Sequence, residues 1–130
     1  MIRSSRPKAI LTDDHPAVLA VVRSILQQEF EIVATATDGM QALEAVTSLH
    51  PELLVLDITM PGWGGFETAQ RVLQTSSTTK LLFLTIYEDT DYMEKARELG
   101  ASYVFKRRMR SDLLPAALET LAGESFFSRI

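Results

Sequence analysis

The 130-residue sequence contains no cysteine, which excludes disulfide bonds and thiolate metal sites. No apolar run approaches the roughly 20 residues that a membrane-spanning helix needs, so we expect no membrane partner. The opening stretch MIRSSRPK carries charge but lacks the apolar region of a signal peptide. These absences fit a reducing compartment, and we expect a cytoplasmic location.

Charge and composition are close to the average of globular domains. With 46% hydrophobic and 23% charged residues, neither disorder nor a membrane class is favoured. The formal net charge of −4 disfavours a broad nucleic-acid-binding surface, although the short basic run KRRMR lies at 106–110. The length corresponds to one domain with a single core.

Short apolar runs alternate with longer amphipathic segments along the chain. The predicted strands are KAIL, EIVATA, LLVLD, LLFLT and SYVFK, at 8–11, 31–36, 53–57, 81–85 and 102–106. Apolar residues at spacings of three and four predict helices at 16–28, 39–49, 66–74, 90–99 and 112–122. The alternation indicates an α/β fold, and the continuous apolar runs LLVL and LLFL indicate a parallel sheet covered on both faces.

Local signals predict where several helices begin and end. Pro16 suits the first turn of the first helix, and Ser111 with Asp112 suits the start of the last. Gly100 and Gly123 follow apolar-periodic segments, as glycines after a helix C-terminus do.

Polar residues follow four of the predicted strands. Asp13 and Asp14 follow the first strand, and Asp57, Thr85 and Lys106 end the third, fourth and fifth. In open α/β sheets, ligands bind outside the carboxyl ends of the strands. We therefore expect these five side chains to meet at one edge of the sheet.

The chemistry of these groups points to a cation and a phosphoryl group. Two like charges 4 Å apart repel by about 4 kcal/mol at an effective dielectric near 20, so three crowded carboxylates are expected to bind a cation. Oxygen ligands alone suit Mg²⁺, which also binds phosphate oxygens. Lys106 and Thr85 offer a phosphoryl group a charge and a hydrogen-bond donor. Asp57 is then a candidate nucleophile that forms an acyl phosphate.

Four motifs agree in order and spacing with one family. They are DDHP after the first strand, LLVLDITMPGWGGFE across the third, LLFLTIYED across the fourth and GASYVFK across the fifth. Together they resemble the receiver domain of two-component response regulators, in the NarL/FixJ/LuxR-like branch with a C-terminal helix-turn-helix DNA-binding domain. The resemblance spans residues 8–122 and implies a flavodoxin-like fold with five parallel strands in the order 2-1-3-4-5.

The resemblance also implies which residues bind metal and phosphate. Asp57 would be the phosphoacceptor, and Asp13 and Asp14 would hold Mg²⁺ with it. Asp14 would be the more direct of these two ligands, and the backbone carbonyl of Thr59 would complete the protein side of the metal shell. The chain would catalyse only its own phosphorylation and dephosphorylation.

Other matched residues would respond to the phosphoryl group. Thr85 would bond one phosphoryl oxygen, Lys106 would pair with another, and Tyr103 would be an aromatic rotamer switch. Many receivers have proline after the lysine, whereas this chain has Arg107, and the sequence leaves the isomer of the 106–107 peptide bond open.

Two positions are expected to control how long the phosphoryl group remains. Thr59 lies two residues after the acceptor, and Tyr87 lies two residues after Thr85. In the receiver domains that this chain resembles, side chains at these two positions would flank the path of the attacking water, where an amide or acid helps hydrolysis and a bulky ring shields the phosphoryl group. A short hydroxyl and a bulky ring at these positions predict comparatively slow self-dephosphorylation.

The end of the sequence, GESFFSRI, resembles the beginning of a linker. We expect residues 1–123 to form the receiver domain and 124–130 to begin a linker to a DNA-binding domain outside this chain. Phe126 and Phe127 support this expectation, because an isolated domain has little core left to cover them. The expected partners are a sensor histidine kinase, a second copy of the chain after phosphorylation, and DNA only through the further domain.

Two other functions remain as alternatives. A Mg²⁺-dependent phosphohydrolase of α/β fold would also gather carboxylates at strand ends, but the aspartyl-phosphate type has an aspartate two residues after the nucleophile, where this chain has Thr59. A phosphorylation-independent interaction domain would be expected to have lost Asp57 or Lys106.

The run GWGGF at 62–66 lacks the P-loop lysine and predicts a glycine turn. His15 and His50 are expected to be surface or capping residues.

Overall fold

The computed structural model describes residues 5–130, in which five strands form one parallel sheet. The strands are β1 (Lys8–Thr12), β2 (Glu31–Ala36), β3 (Leu53–Leu56), β4 (Lys80–Thr85) and β5 (Ser102–Phe105). Their spatial order is β2-β1-β3-β4-β5, and each neighbouring pair is parallel. The predicted flavodoxin-like strand order is therefore confirmed.

Helices connect the strands as the spacing predicts. They are α1 (Pro16–Leu26), α2 (Gly39–Leu49), α3 (Gly65–Thr75), α4 (Thr90–Glu98) and α5 (Met109–Leu121). Pro16 lies in the first turn of α1, where its missing N–H costs no hydrogen bond. Gly100 and Gly123 have φ angles of 73° and 91°, the left-handed conformation that favours glycine after a helix. Within residues 5–130, no helix has the length and apolar character required to cross a membrane.

Alternate residues of the strands face two apolar layers. Ile10 and Leu54 lie in a cluster with residues of α2, α3 and α4, whereas Leu11 and Val55 lie in a second cluster with residues of α1 and α5. All four residues of β3 are buried, which confirms that helices cover both faces of the sheet. Since burying such a side chain contributes about 1.5–3 kcal/mol, the two layers hold the strand ends in fixed positions.

The start of α5 differs from the expected position. A 3₁₀ turn over Lys106–Arg108 leads directly into the helix, which begins at Met109 rather than near Asp112. Asp112 does not cap the helix, because its buried carboxylate accepts hydrogen bonds from Arg108 Nε at 3.0 Å and Ser128 Oγ at 2.7 Å. The Asp112 side chain, which the local sequence pattern places at a helix N-terminus, instead makes a tertiary contact with Ser128.

The chain after α5 returns to the edge of the sheet. Phe127 forms an isolated parallel bridge with Tyr103, whose N–H donates to the Phe126 carbonyl at 2.8 Å. Phe126 and Phe127 are half-buried, and each packs against one of the two apolar layers. The expectation that little core remains for these rings is therefore wrong, while the assignment of 124–130 as the start of a linker stays a prediction.

Candidate functional site

The connection between β3 and α3 fixes Asp57 at the carboxyl end of the sheet. Asp57 follows Leu56 and is buried, and its Oδ1 accepts a hydrogen bond from the Ile58 N–H at 2.7 Å. Gly65 begins α3 so close to the strand end that an added Cβ would lie 2.2 Å from the Asp57 carbonyl oxygen. A residue without a side chain is therefore required where α3 approaches Asp57.

Lys106 joins two carboxylates into what we call the charged cluster, formed by Asp13, Asp57 and Lys106. The Lys106 Nζ lies 2.8 Å from Asp13 Oδ2 and 2.9 Å from Asp57 Oδ2. Burial by itself would lower the pKa of Lys106, but hydrogen bonds to the two carboxylates outweigh this effect and raise the pKa. The ammonium group therefore stays charged beside Asp57 at neutral pH.

Asp14 and His15 lie beside the charged cluster. The His15 Nδ1 lies 3.0 Å from Asp13 Oδ1 and 3.1 Å from Asp14 Oδ1. The approach to Asp14 lacks hydrogen-bonding geometry, and among the described residues the buried Asp14 Oδ1 has no hydrogen-bond partner. Such an atom favours a bound cation, because an unpartnered buried oxygen is costly. His15 occupies the N-cap position of α1, as expected, and the adjacency in DDHP is the signal that places its ring near the acids.

A cleft of about 250 Å³ gives access to the Asp57 carboxylate. Its lining residues are Asp14, His15, Asp57, Thr59, Ile86, Tyr87 and Lys106. The Thr59 hydroxyl donates to the Tyr87 hydroxyl at 3.2 Å, so the two predicted tuning residues are in contact. Five predicted residues, Asp14, Asp57, Thr59, Tyr87 and Lys106, thus line one cleft.

The predicted switch residues Thr85 and Tyr103 are connected through Tyr87. The buried Thr85 hydroxyl accepts a hydrogen bond from the Tyr87 N–H at 3.3 Å, and the Tyr103 hydroxyl donates to the Tyr87 carbonyl at 2.7 Å. Among the described residues, Thr85 makes no hydrogen bond to Asp57. Burial, reinforced by the Asp89 carboxylate, raises the pKa of Tyr103 well above its usual range. The phenol therefore remains a neutral donor.

Aromatic side chains surround Tyr103 and form what we call the aromatic face. Its members are Phe66, Phe83, Tyr87, Tyr92, Tyr103, Phe105 and Phe127. The Tyr103 ring is edge-on to Phe105, with centroids 6.0 Å apart, and tilted against Phe83 at 6.5 Å. Sequence reasoning identified Tyr103 and Tyr87 but missed Phe127, which joins this face from the end of the chain.

The basic run that begins at Lys106 is paired with acids of the same domain. The Lys106–Arg107 peptide bond is trans, as are all peptide bonds within residues 5–130. Arg107 Nη2 donates to Glu88 Oε1 at 2.9 Å, and Arg108 pairs with Asp112. The pair with Arg107 lowers the pKa of Glu88. The first three cations of the run therefore bind carboxylates of this chain.

Comparison with known proteins identifies similar sequences over nearly the whole chain. Residues 9–119 match the family model described as the response regulator receiver domain. The oxygen regulatory protein NreC of Staphylococcus epidermidis is 32% identical over 123 residues, covering 92% of this chain and 56% of that protein. A putative transcriptional regulator of Pseudomonas aeruginosa is 35% identical over 122 residues, covering 92% of this chain and 59% of that protein. The chain thus spans somewhat more than half the length of these relatives.

Solved structures show the same fold. A two-component response regulator of the LuxR family from Aurantimonas sp. superposes with a TM-score of 0.87 at 31% identity, covering 94% of this chain and 89% of that one. The signal receiver domain of the putative response regulator NarL from Mycobacterium tuberculosis gives a TM-score of 0.87 at 26% identity, covering 93% of this chain and 100% of that domain. Both similarities extend over more than nine-tenths of this chain.

Proposed function

Because this chain belongs to the response regulator receiver domain family, we propose that it is a phosphorylation-dependent switch with Asp57 as its phosphoacceptor. A sensor histidine kinase presents phosphohistidine at the cleft. An Asp57 carboxylate oxygen bonds to phosphorus while the bond from phosphorus to the histidine nitrogen breaks, and the released imidazole takes a proton. The chain catalyses this transfer and the later hydrolysis on itself alone.

The observation that carries this proposal is the position of Lys106. Its ammonium group contacts the Asp57 carboxylate at 2.9 Å, next to a cleft that exposes Asp57 to an incoming group. A cation held at that distance attracts a phosphoryl group and stabilises its charge after transfer. Asp13 holds the other side of the ammonium group, so that Lys106 keeps its orientation when the Asp57 carboxylate is modified.

Receiver domains of this family bind Mg²⁺ at the acidic pocket, and the residues present fit that ion. Asp13, Asp14, Asp57 and the carbonyl of Thr59 would hold it, because they offer oxygen atoms alone. The unpartnered Asp14 Oδ1 is the clearest sign that a cation belongs there. When bound, Mg²⁺ neutralises charge that develops on the phosphoryl oxygens during transfer.

The response to phosphorylation runs from Thr85 to Tyr103 through Tyr87. Thr85 bonds a phosphoryl oxygen, and Tyr103 occupies the buried position with its hydroxyl on the Tyr87 carbonyl. These two changes shift an existing equilibrium between two conformations of the surface formed by α4, β5 and α5. The contacts of Tyr87 with both switch residues support this route.

The proposed output is transcriptional control by a longer cytoplasmic protein. The relatives are about 1.7 to 1.8 times as long as the matched region, which leaves room for a C-terminal DNA-binding domain. We propose that phosphorylation favours a homodimer through the altered surface. Sedimentation with and without beryllofluoride and Mg²⁺ tests this, and an unchanged monomer at high concentration contradicts it.

Labelling by a small phosphodonor tests the acceptor. With Mg²⁺, the parent chain should gain one phosphoryl group by intact mass, and Asp57→Asn should gain none because an amide cannot form the acyl phosphate. Asp91→Asn, which changes an exposed aspartate on α4, is the matched control and should label like the parent. Labelling that persists in Asp57→Asn contradicts the assignment, and steady hydrolysis of a phosphate ester would instead indicate a phosphohydrolase.

A further inference from the structure

We infer that the β5 edge is a binding surface for residues 126–128 of the same chain, and that their docking is coupled to the buried position of Tyr103. We call residues 126–128 the edge segment. The docking rests on contacts of the edge segment with β5 and α5, and its response to phosphorylation rests on the proposed function.

Both backbone groups of Tyr103, its N–H and its carbonyl, are hydrogen-bonded to the edge segment. The Tyr103 N–H donates to the Phe126 carbonyl at 2.8 Å, and the Ser128 N–H donates to the Tyr103 carbonyl at 2.9 Å. β5 is the last strand of the sheet, and an uncovered edge strand leaves such groups unpaired. The edge segment therefore satisfies the backbone of the switch residue by strand addition.

Ser128 anchors the edge segment to α5 as well as to β5. Its buried hydroxyl donates to Asp112 Oδ2 at 2.7 Å and accepts from the Phe105 N–H at 3.2 Å. Desolvation alone would raise the pKa of Asp112, but hydrogen bonds from Arg108 and Ser128 outweigh it and lower the pKa. Ser128 thus bonds a carboxylate that stays ionised at neutral pH, and hydrogen bonds to charged groups are the stronger kind.

Phe127 packs directly on the ring of the switch residue. The Phe127 and Tyr103 rings are parallel within 4°, with centroids 6.5 Å apart. The Arg97 guanidinium of α4 lies 4.2 Å from the centre of the Phe127 ring. The edge segment therefore covers the part of the surface between α4 and β5 that the proposed function assigns to signal output.

The geometry couples the edge segment to the phosphorylation site. The Phe127 ring stacks on the Tyr103 ring while Tyr103 keeps its buried position. If the Tyr103 ring turned outward, this stacking interaction would be lost. Phosphorylation, which favours the buried Tyr103, should therefore favour docking of the edge segment. Such coupling is reciprocal. Docking should therefore raise the affinity of the Asp57 site for beryllofluoride, which mimics the phosphoryl group, by the same factor.

Hydrogen exchange of the Tyr103 and Ser128 amides tests the inference on the whole chain. Both amides should be protected in the free protein. Beryllofluoride with Mg²⁺ should slow their exchange at least about fivefold, the lower end of typical coupling between two sites. Protection should not depend on protein concentration, because the contact lies within one chain. Protection that requires high concentration would assign the contact to a second copy and overturn the inference.

A double variant tests the reciprocal effect. Phe127→Ala with Ser128→Ala should lose the protection and weaken beryllofluoride binding by the factor measured in the parent. Ser125→Ala with Ile130→Ala changes two exposed neighbours and should leave both quantities unchanged. If beryllofluoride alters amide exchange near Lys106 while exchange of the Tyr103 and Ser128 amides stays the same or becomes faster, the inference is wrong. If beryllofluoride does not bind near Lys106 in the parent, the proposed function itself fails.

Discussion

The charged cluster and the aromatic face lie at neighbouring strand ends but are held by different forces. In the charged cluster, Lys106 bridges Asp13 and Asp57 through two ion pairs, whose attraction is offset by the cost of burying charge. In the aromatic face, Tyr103 is fully buried among rings and adds packing and apolar burial. Changes in the charged cluster should therefore mainly affect phosphorylation of Asp57, whereas changes in the aromatic face should mainly affect the free energy of unfolding.

Replacement of Tyr103 should give the largest loss of stability. Tyr103→Ala leaves a cavity under Phe127 and should lower the free energy of unfolding by about 3–5 kcal/mol, measured by urea denaturation. Tyr103→Phe keeps the ring and loses only the hydrogen bond to the Tyr87 carbonyl, at a cost of about 1 kcal/mol. Similar losses in the two variants would show that the hydroxyl, not ring packing, stabilises this face.

Gly65→Ala should disturb both stability and chemistry. The added Cβ would overlap the Asp57 carbonyl, and the forced displacement of α3 should lower the free energy of unfolding by about 1–3 kcal/mol. Phosphodonor labelling of Asp57 should slow as well. Gly62→Ala is the control, since it adds backbone strain at a φ of 73° but its Cβ meets no atom of residues 5–130 within 4 Å. Labelling at the parent rate in Gly65→Ala would show that close approach of α3 does not position the acceptor.

Asp14→Ala should impair metal binding while leaving the fold intact. The acceptor and Lys106 remain, so labelling should still occur but require about tenfold more Mg²⁺, equivalent to about 1.4 kcal/mol. Without Mg²⁺, the free energy of unfolding should not fall, because the buried Asp14 Oδ1 accepts no hydrogen bond from residues 5–130. Labelling titrated with Mg²⁺ measures this effect, and an unchanged Mg²⁺ requirement would remove Asp14 from the metal site.

The smallest effect is expected where the two regions meet, at Thr59 and Tyr87. Thr59→Asn supplies an amide that orients water, and Tyr87→Ala removes a ring that shields the cleft. Each should speed loss of phosphate by up to about tenfold, followed by intact mass after removal of the donor. Tyr87→Phe keeps the ring and should resemble the parent. Loss no faster than the parent in both Thr59→Asn and Tyr87→Ala would show that water access here does not set the lifetime.

The charged cluster was predictable because strand ends in an α/β alternation share one edge of the sheet. Asp13, Asp57 and Lys106 each follow a strand that the apolar runs mark clearly. The contacts of Asp112 and Ser128 were not predictable, because Ser111 and Asp112 form a local helix-start pattern while the partner of Asp112 lies 16 residues away. The edge segment has too few residues to show an alternation, so that only tertiary contact reveals its pairing with β5.

Chemical identification of the modified carboxylate is the strongest single test of Asp57 as the phosphoacceptor. After labelling with a small phosphodonor and Mg²⁺, borohydride reduces an acyl phosphate to an alcohol, which converts the modified aspartate to homoserine. Tandem mass spectrometry of the peptides then locates this residue. If Asp57 is the phosphoacceptor, homoserine should be found at position 57 alone, in the peptide that follows β3. Homoserine at position 13 or 14, or none in protein that has gained a phosphoryl group, would contradict it.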